Sequence, residues 1–255
     1  MGYHGSFVWY ELMTTDKPAA EAFYREVVGW SVADSGMPGF DYAMLSAGGS
    51  PVAGLMTLPD DVAAAGGRPG WIGYVAVDDI DTGTAEVARL GGTVHRQPDD
   101  IPGIGRFSVV ADPQGAVLCL FQPDGEDDRP ADPRAPGNTG WHELYAADAP
   151  AVFDFYAALF GWTKGAAIDM GPMGTYRLFA HDGSDIGGMM TKPPAVPAPF
   201  WNYYFIVEAI DAAIARLTAA GGKVLNGPMQ VPGGAWIVQA TDPQGAFFSL
   251  TAARR

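Results

Sequence analysis

The chain has one cysteine, few basic side chains and no long apolar run, and each shortage removes a class of protein. Cys119 alone cannot close an internal disulfide, so a reducing cytoplasm is the expected compartment. Fifteen Lys and Arg against 29 Asp and Glu leave a formal net charge of −14. That is the wrong sign for a phosphate backbone or an anionic lipid surface, so neither nucleic acid nor membrane is expected as a partner. No stretch approaches the roughly 18 apolar residues that span a bilayer. The opening MGYHGSFVWYEL has no basic segment followed by an apolar one, so no signal peptide is expected. The phosphate-loop pattern G-x-x-x-x-G-K-[ST] is missing as well, and the glycines of GIGRF and GGAW read as hairpin turns before strands.

Apolar residues are plentiful, at 48% of 255 residues with 17% charged, which is ample for a packed core. The chain also repeats itself. WYELMTTDKPAAEAFYREVVGW, from Trp9 to Trp30, returns as WHELYAADAPAVFDFYAALFGW, from Trp141 to Trp162. GWIGYVAVDDID at 70–81 returns as FWNYYFIVEAID at 200–211, and ADPQGAVLCL at 111–120 as TDPQGAFFSL at 241–250. Three matches in the same order, offset by 130 to 132 positions, mean a tandem duplication. The units are expected at 1–122 and 140–255, joined by a Pro/Asp-rich linker at 123–139.

Within the first unit, residues 7–14 alternate like a strand. Asp16 stands at an N-cap position, and Ala19, Ala20, Phe23, Tyr24, Val27 and Val28 then keep helical spacing until Gly29 stops the helix. Strands follow at 41–46, 52–57 and 72–77. A second helix runs from Asp79 or Asp81 to Leu90, and strands at 106–111 and 116–121 flank the DPQG turn. The second unit repeats the plan.

The motif D-x-x-x-A-x-x-FY-x-x-x-x-GW, the VDDID turn and the DPQG ending resemble the vicinal oxygen chelate superfamily, which includes glyoxalase I, bleomycin-resistance proteins and extradiol dioxygenases. The resemblance runs nearly the whole chain, twice, and is closest to paired-module proteins of the glyoxalase-like or hydroxylase-like kind. It implies an α+β fold in which tandem βαβββ motifs form two cupped mixed β-sheets. It also implies a divalent metal, held by His, Gln or Glu side chains at set strand positions. Those positions here carry Trp9 and Trp141, Ile72 and Asn202, Leu55/Met56 and Met189/Met190, and Cys119 and Ser249. Indole, alkyl and thioether groups are not ligands for Mg²⁺, Mn²⁺, Zn²⁺ or Fe²⁺. His4, His95, His142 and His181 match none of the positions, so no metal and no other cofactor is expected.

Alternation along strands predicts which side chains line the cavities instead. Trp9, Glu11 and Met13 share a face in one unit, and Trp141, Glu143 and Tyr145 in the other. Tyr74, Cys119 and Phe121 join the first set; Asn202, Tyr204, Phe247 and Ser249 join the second. This is an aromatic lining with one carboxylate per unit, the usual makeup of an organic ligand site. Glu11 and Glu143 are the candidate general bases or cation contacts, against the plainer reading that each merely pins its sheet. His142 should face the helix side as a core histidine, Cys119 should be an inert buried thiol, and the Met-rich stretches should be packing. Tyr24 and Tyr156 should be structural.

The expected function is metal-independent binding of a small apolar or aromatic molecule, similar to drug-sequestering resistance proteins. The alternatives are a glyoxalase-like lyase with unusual ligands and an isomerase or hydratase using a cavity Glu as base. A third is an interaction protein whose cups hold only its own side chains. A fused pair already has both halves of each site, so either monomer or homodimer is compatible.

Overall fold

The computed structural model describes residues 3–37, 39–125 and 132–255; residues 126–131 of the expected linker lie outside this set. The first repeat supplies β1 (Phe7–Thr14), α1 (Lys17–Val27), β2 (Ser31–Asp34), β3 (Tyr42–Ala47) and β4 (Ser50–Thr57). After a short helix α2 (Asp60–Ala64) come β5 (Gly70–Ala76), α3 (Ile80–Arg89), β6 (Thr93–Ile101), β7 (Gly105–Ala111) and β8 (Val117–Pro123). The second repeat gives β9 (Thr139–Ala146), α4 (Ala149–Phe160), β10 (Thr163–Asp169), β11 (Thr175–His181) and β12 (Ser184–Thr191). It ends with β13 (Phe200–Ile206), α5 (Ile210–Ala219), β14 (Lys223–Gln230), β15 (Trp236–Thr241) and β16 (Phe247–Ala252). Each repeat therefore holds two βαβββ motifs, as expected.

The strands form two eight-stranded sheets, ordered β2-β3-β4-β1-β5-β8-β7-β6 and β10-β11-β12-β9-β13-β16-β15-β14. Both are mixed. β1 runs parallel to β4, β5 to β8, β9 to β12 and β13 to β16, whereas the hairpins are antiparallel. Sequence reading missed the outermost strands, β2, β6, β10 and β14, and this is a correction to the expected strand set.

Local chemistry explains the helices. Asp16 accepts the Ala19 amide at 3.1 Å, and Asp148 the Ala151 amide at 3.1 Å, an N-cap contribution of about 1 kcal/mol each. Proline follows in the first turn of each helix, where its missing N–H costs nothing. Gly29 (φ 92°) and Gly161 (φ 71°) then take the left-handed conformation that ends them.

Packing divides the described residues into two compact units that cut across the repeats. One gathers residues 3–8, 72–125 and 141–202; the other gathers 9–71, 132–140 and 203–255. The first is centred on Tyr156, Trp162, Phe179 and Trp201, with Trp162 and Phe179 stacked at 4.6 Å. The second is centred on Tyr24, Trp30, Trp71, Phe205 and Phe248, with Trp71 and Phe205 at 4.8 Å.

A buried polar chain crosses each core. Trp201 Nε1 donates to the Tyr156 hydroxyl at 3.2 Å, which donates to Asp112 Oδ2 at 2.8 Å. In the second unit Trp71 Nε1 donates to the Tyr24 hydroxyl at 2.9 Å, and that hydroxyl to Asp242 Oδ2 at 3.1 Å. Asp112 and Asp242 open the two DPQG turns and also accept the turn amides of Gln114 and Ala116, and of Gln244 and Ala246. Tyr24 and Tyr156 are structural, as the sequence suggests, but each is bonded to the turn of the other repeat. Burial, followed by the Asp242 charge, lifts the Tyr24 phenol well above its ordinary range, so the proton stays on oxygen and the bond keeps its direction.

The tryptophans that close the GW motifs behave alike. Trp30 Nε1 donates to the Gly137 carbonyl and Trp162 Nε1 to the Gly5 carbonyl, both at 2.7 Å. The last part of the segment read as a linker is thereby pinned to the core. At Gly137 (φ 91°) a Cβ would stand 2.5 Å from Ala47 Cβ, so this contact requires glycine.

Candidate functional site

The alternation read from the sequence is present. On β1 Tyr10, Leu12 and Thr14 are buried, while Trp9, Glu11 and Met13 share the other, half-buried face. On β9 His142, Leu144 and Ala146 are buried in the core, while Trp141, Glu143 and Tyr145 share the opposite face. His142 Nδ1 donates to the Ile186 carbonyl at 2.7 Å and the ring stacks on Phe7 at 3.9 Å, and burial holds its pKa down at about 4. It is a neutral core histidine.

The unit that contains β9 carries a polar network on this face. Trp141 Nε1 donates to the Tyr176 hydroxyl at 2.8 Å, and Tyr176 donates to the Glu143 carboxylate. Asn202 Nδ2 donates to Glu143 Oε2 at 3.2 Å. Burial, with Glu143's charge next, raises the Tyr176 phenol well above its usual range. The hydroxyl therefore keeps its proton and points it at the carboxylate. Glu143 is 6% exposed and Asn202 1%, whereas Trp141, Tyr145, Tyr176 and Phe200 are half-buried. Tyr145 and Phe200 stack face to face at 4.9 Å. A buried carboxylate and amide thus stand among half-buried aromatic side chains.

Two of these residues, Tyr176 and Phe200, were not read from the sequence. The signal for Tyr176 was present, because Tyr42 occupies the same place in the first repeat and accepts from Trp9 Nε1 at 2.9 Å. Glycines make room for both rings. Gly54 lies opposite Glu11 and Gly188 opposite Glu143 on the adjoining parallel strand. A Cβ on Gly188 would stand 2.2 Å from the Tyr176 ring, and one on Gly54 1.7 Å from the Tyr42 oxygen.

The remaining expected lining residues fall into separate groups. Tyr74 and Cys119 are register partners across β5 and β8, with Phe121 edge-on to Tyr74 at 6.3 Å. Cys119 is a thiol outside any disulfide, 1% exposed. Tyr204 and Ser249 are register partners across β13 and β16, and Gln239 Nε2 donates to the Tyr204 hydroxyl at 3.1 Å. Phe247 begins β16 opposite Thr241. Leu55, Met189 and Met190 are buried packing.

At the positions where the sequence resemblance leads one to expect metal ligands, Trp9 and Trp141 donate their indole N–H to tyrosines, Ile72 and Met189 carry alkyl and thioether groups, and Asn202, Cys119 and Ser249 carry an amide, a thiol and a hydroxyl. Among the described residues no three His, Cys, Asp or Glu side chains come together in a metal-binding group. No helix among them is long and apolar enough to cross a membrane.

A family model described as a glyoxalase-like domain matches residues 9–121. One described as the glyoxalase/bleomycin resistance protein/dioxygenase superfamily matches residues 139–250. The chain is 35% identical over 248 residues to "Putative glyoxylase CFP32" of Mycobacterium tuberculosis, covering 95% of this chain and 92% of that protein. It is 32% identical over 265 residues to the anthracycline biosynthesis protein DnrV of Streptomyces peucetius, covering 98% and 94%. Among solved structures, the Mn(II)-bound glyoxalase from Novosphingobium aromaticivorans aligns with a TM-score of 0.69 at 16% identity, covering 99% of this chain and 83% of that one. Homoprotocatechuate 2,3-dioxygenase from Brevibacterium fuscum, in complex with 3,4-dihydroxyphenylacetate, aligns at 0.69 and 16%, covering 96% and 79%. At these identities the two structures speak for the fold alone.

Proposed function

Because the chain belongs to the glyoxalase/bleomycin resistance/dioxygenase superfamily, whose fold carries several chemistries, we propose that it binds a planar aromatic small molecule without a metal. The observation that carries the reading is the set of half-buried rings Trp141, Tyr145, Tyr176 and Phe200 grouped with the buried carboxylate of Glu143 on one sheet face. Aromatic rims offer large flat contact area, and a few placed polar groups fix orientation. The anthracycline pathway named for DnrV supports a polycyclic ligand, since anthracyclines are built on an anthraquinone. In the cytoplasm such a protein would hold a reactive or toxic metabolite out of solution.

A thermal-shift series with anthraquinones tests this, with Trp fluorescence read in parallel. A ligand present at about a hundred times its Kd stabilises the fold by about 2.7 kcal/mol, which for a chain of this size is a rise of several degrees in Tm. No shift and no quenching with any aromatic compound would defeat the proposal. Stoichiometric metal in the purified protein, lost together with activity on dialysis against chelator, would instead favour the lyase.

A further inference from the structure

The chain has three asparagines, and the fold treats them unequally. Asn138 is 7% exposed, and its Nδ2 donates to the Asp132 and Ala135 carbonyls, both at 3.1 Å. Asn202 is 1% exposed and donates to Glu143. Asn226 is exposed, and it lies on β14, an edge of its sheet. The next residue differs as well. Thr139 and Tyr203 crowd the peptide nitrogen that follows the first two, whereas Gly227 leaves it open on the side where a side chain would stand.

The strand is irregular at this point. Its register with β15 runs through Asn226↔Gln239 and then steps to Met229↔Ile237, so Gly227 and Pro228 stand outside it. A second shift separates Val224 from Asn226. A bulge of this kind disrupts the ladder locally, and an edge strand has a neighbour on one side only.

From this geometry we infer that Asn226 is a self-modifying site, converted without an enzyme to aspartate and isoaspartate. The Gly227 backbone nitrogen attacks Asn226 Cγ, forming a C–N bond that closes a five-membered succinimide. The bond from Cγ to the side-chain nitrogen breaks, and ammonia leaves with the proton given up by the Gly227 nitrogen. Water then opens the ring. Opening at the side-chain carbonyl gives aspartate; opening at the main-chain carbonyl routes the backbone through Cγ and gives isoaspartate. Nothing is oxidised or reduced.

Either product puts a carboxylate on the one sheet edge that has none, since β2 carries Asp34, β6 Asp99 and Asp100, and β10 Asp169. It also removes a donor. Asn226 Nδ2 donates to Gln239 Oε1 at 3.2 Å, and Gln239 Nε2 donates to the Tyr204 hydroxyl at 3.1 Å. A carboxylate has no hydrogen to offer Gln239 Oε1, so the change falls two hydrogen bonds from a residue that alternation assigns to the cavity face.

The test incubates the full chain at pH 8.5, folded and in guanidinium, with Asn226→Gln alongside. Intact mass, ion exchange and peptide mapping follow the product. Substitution at Gly227 is avoided, because its φ is 96° and a Cβ there would stand 2.7 Å from the Ile237 carbonyl oxygen. The folded chain should gain one dalton and one negative charge, mapped to Asn226, and part of the product should accept a methyl group from an isoaspartate methyltransferase. Asn138 and Asn202 should stay intact in the folded chain. Asn226→Gln should show no gain, because its longer side chain would have to close a six-membered ring. No gain in the folded chain, whether or not the unfolded chain converts, would mean that β14 shields the bond and would overturn the inference. A gain that persists in Asn226→Gln, or one as fast at Asn138 or Asn202, would overturn it equally.

Discussion

His142 lies between Trp141 and Glu143 in sequence, yet the strand turns it to the opposite side, where it stacks on Phe7 and is 7% exposed. Its pKa of about 4 against an ordinary 6.5 has a direct consequence for stability. Below pH 6.5 the unfolded chain protonates this ring while the folded chain does not, so the unfolded state binds more protons and stability falls. The contribution is intact above about pH 6.5 and fades as pH drops toward 4, amounting to about 2 kcal/mol lost by pH 5. Denaturant melts of the parent and His142→Leu at pH 7.5 and pH 5 should show the parent losing that much more than the variant. Equal losses would mean that the ring is not buried neutral. The same alternation made Trp141, Glu143 and Tyr145 legible in the sequence, since a period of two assigns faces without knowledge of partners. It could not show that Asn202, 59 residues away, meets Glu143, because that contact is set by strand order.

At the scale of elements, strands with two neighbours and one buried face were readable and edge strands were not. β6 (TVHRQPDDI) and β14 (KVLNGPMQ) are almost wholly exposed, so nothing forces alternation on them, and β2 has only four residues. Charge, proline and short length are also what keeps such edges from pairing with other chains. Gly54 and Gly188, inside β4 and β12, would pass for weak spots in a strand. Their purpose shows only in the packed sheet, where the Tyr42 and Tyr176 rings occupy the space a side chain would fill. Gly188→Ala should therefore push Tyr176 off Glu143, with an overpacking cost of about 1–3 kcal/mol. The check is a lowered Tm. An unchanged melt would mean that the ring rotates away without penalty.

At the scale of the molecule, the repeat in the sequence is the unit of descent and of sheet formation but not of packing. Similarity between residues 9–30 and 141–162 identifies equivalent segments, and nothing in it tells whether a segment packs against its own repeat or the other. The packed units settle the matter through Tyr24 with Asp242 and Tyr156 with Asp112, reinforced by Trp30 on Gly137 and Trp162 on Gly5. Each bond joins residues more than 40 positions apart and lies in a core assembled from both repeats. Cut at the segment between β8 and β9, either repeat alone would carry a tyrosine and an aspartate whose partners are on the missing piece. It would also expose aromatic side chains that the two repeats bury together, in a fold whose net stability is ordinarily only about 5–15 kcal/mol. Residues 1–125 and 132–255, made as separate chains, should each lack a cooperative melt and near-ultraviolet dichroism, and should regain both when mixed one to one. Tyr24→Phe or Tyr156→Phe in the intact chain should cost about 1–3 kcal/mol, because each strands a buried carboxylate oxygen. A monomeric, cooperatively unfolding preparation of either repeat by itself would show that these cross-repeat bonds decorate two self-sufficient folds.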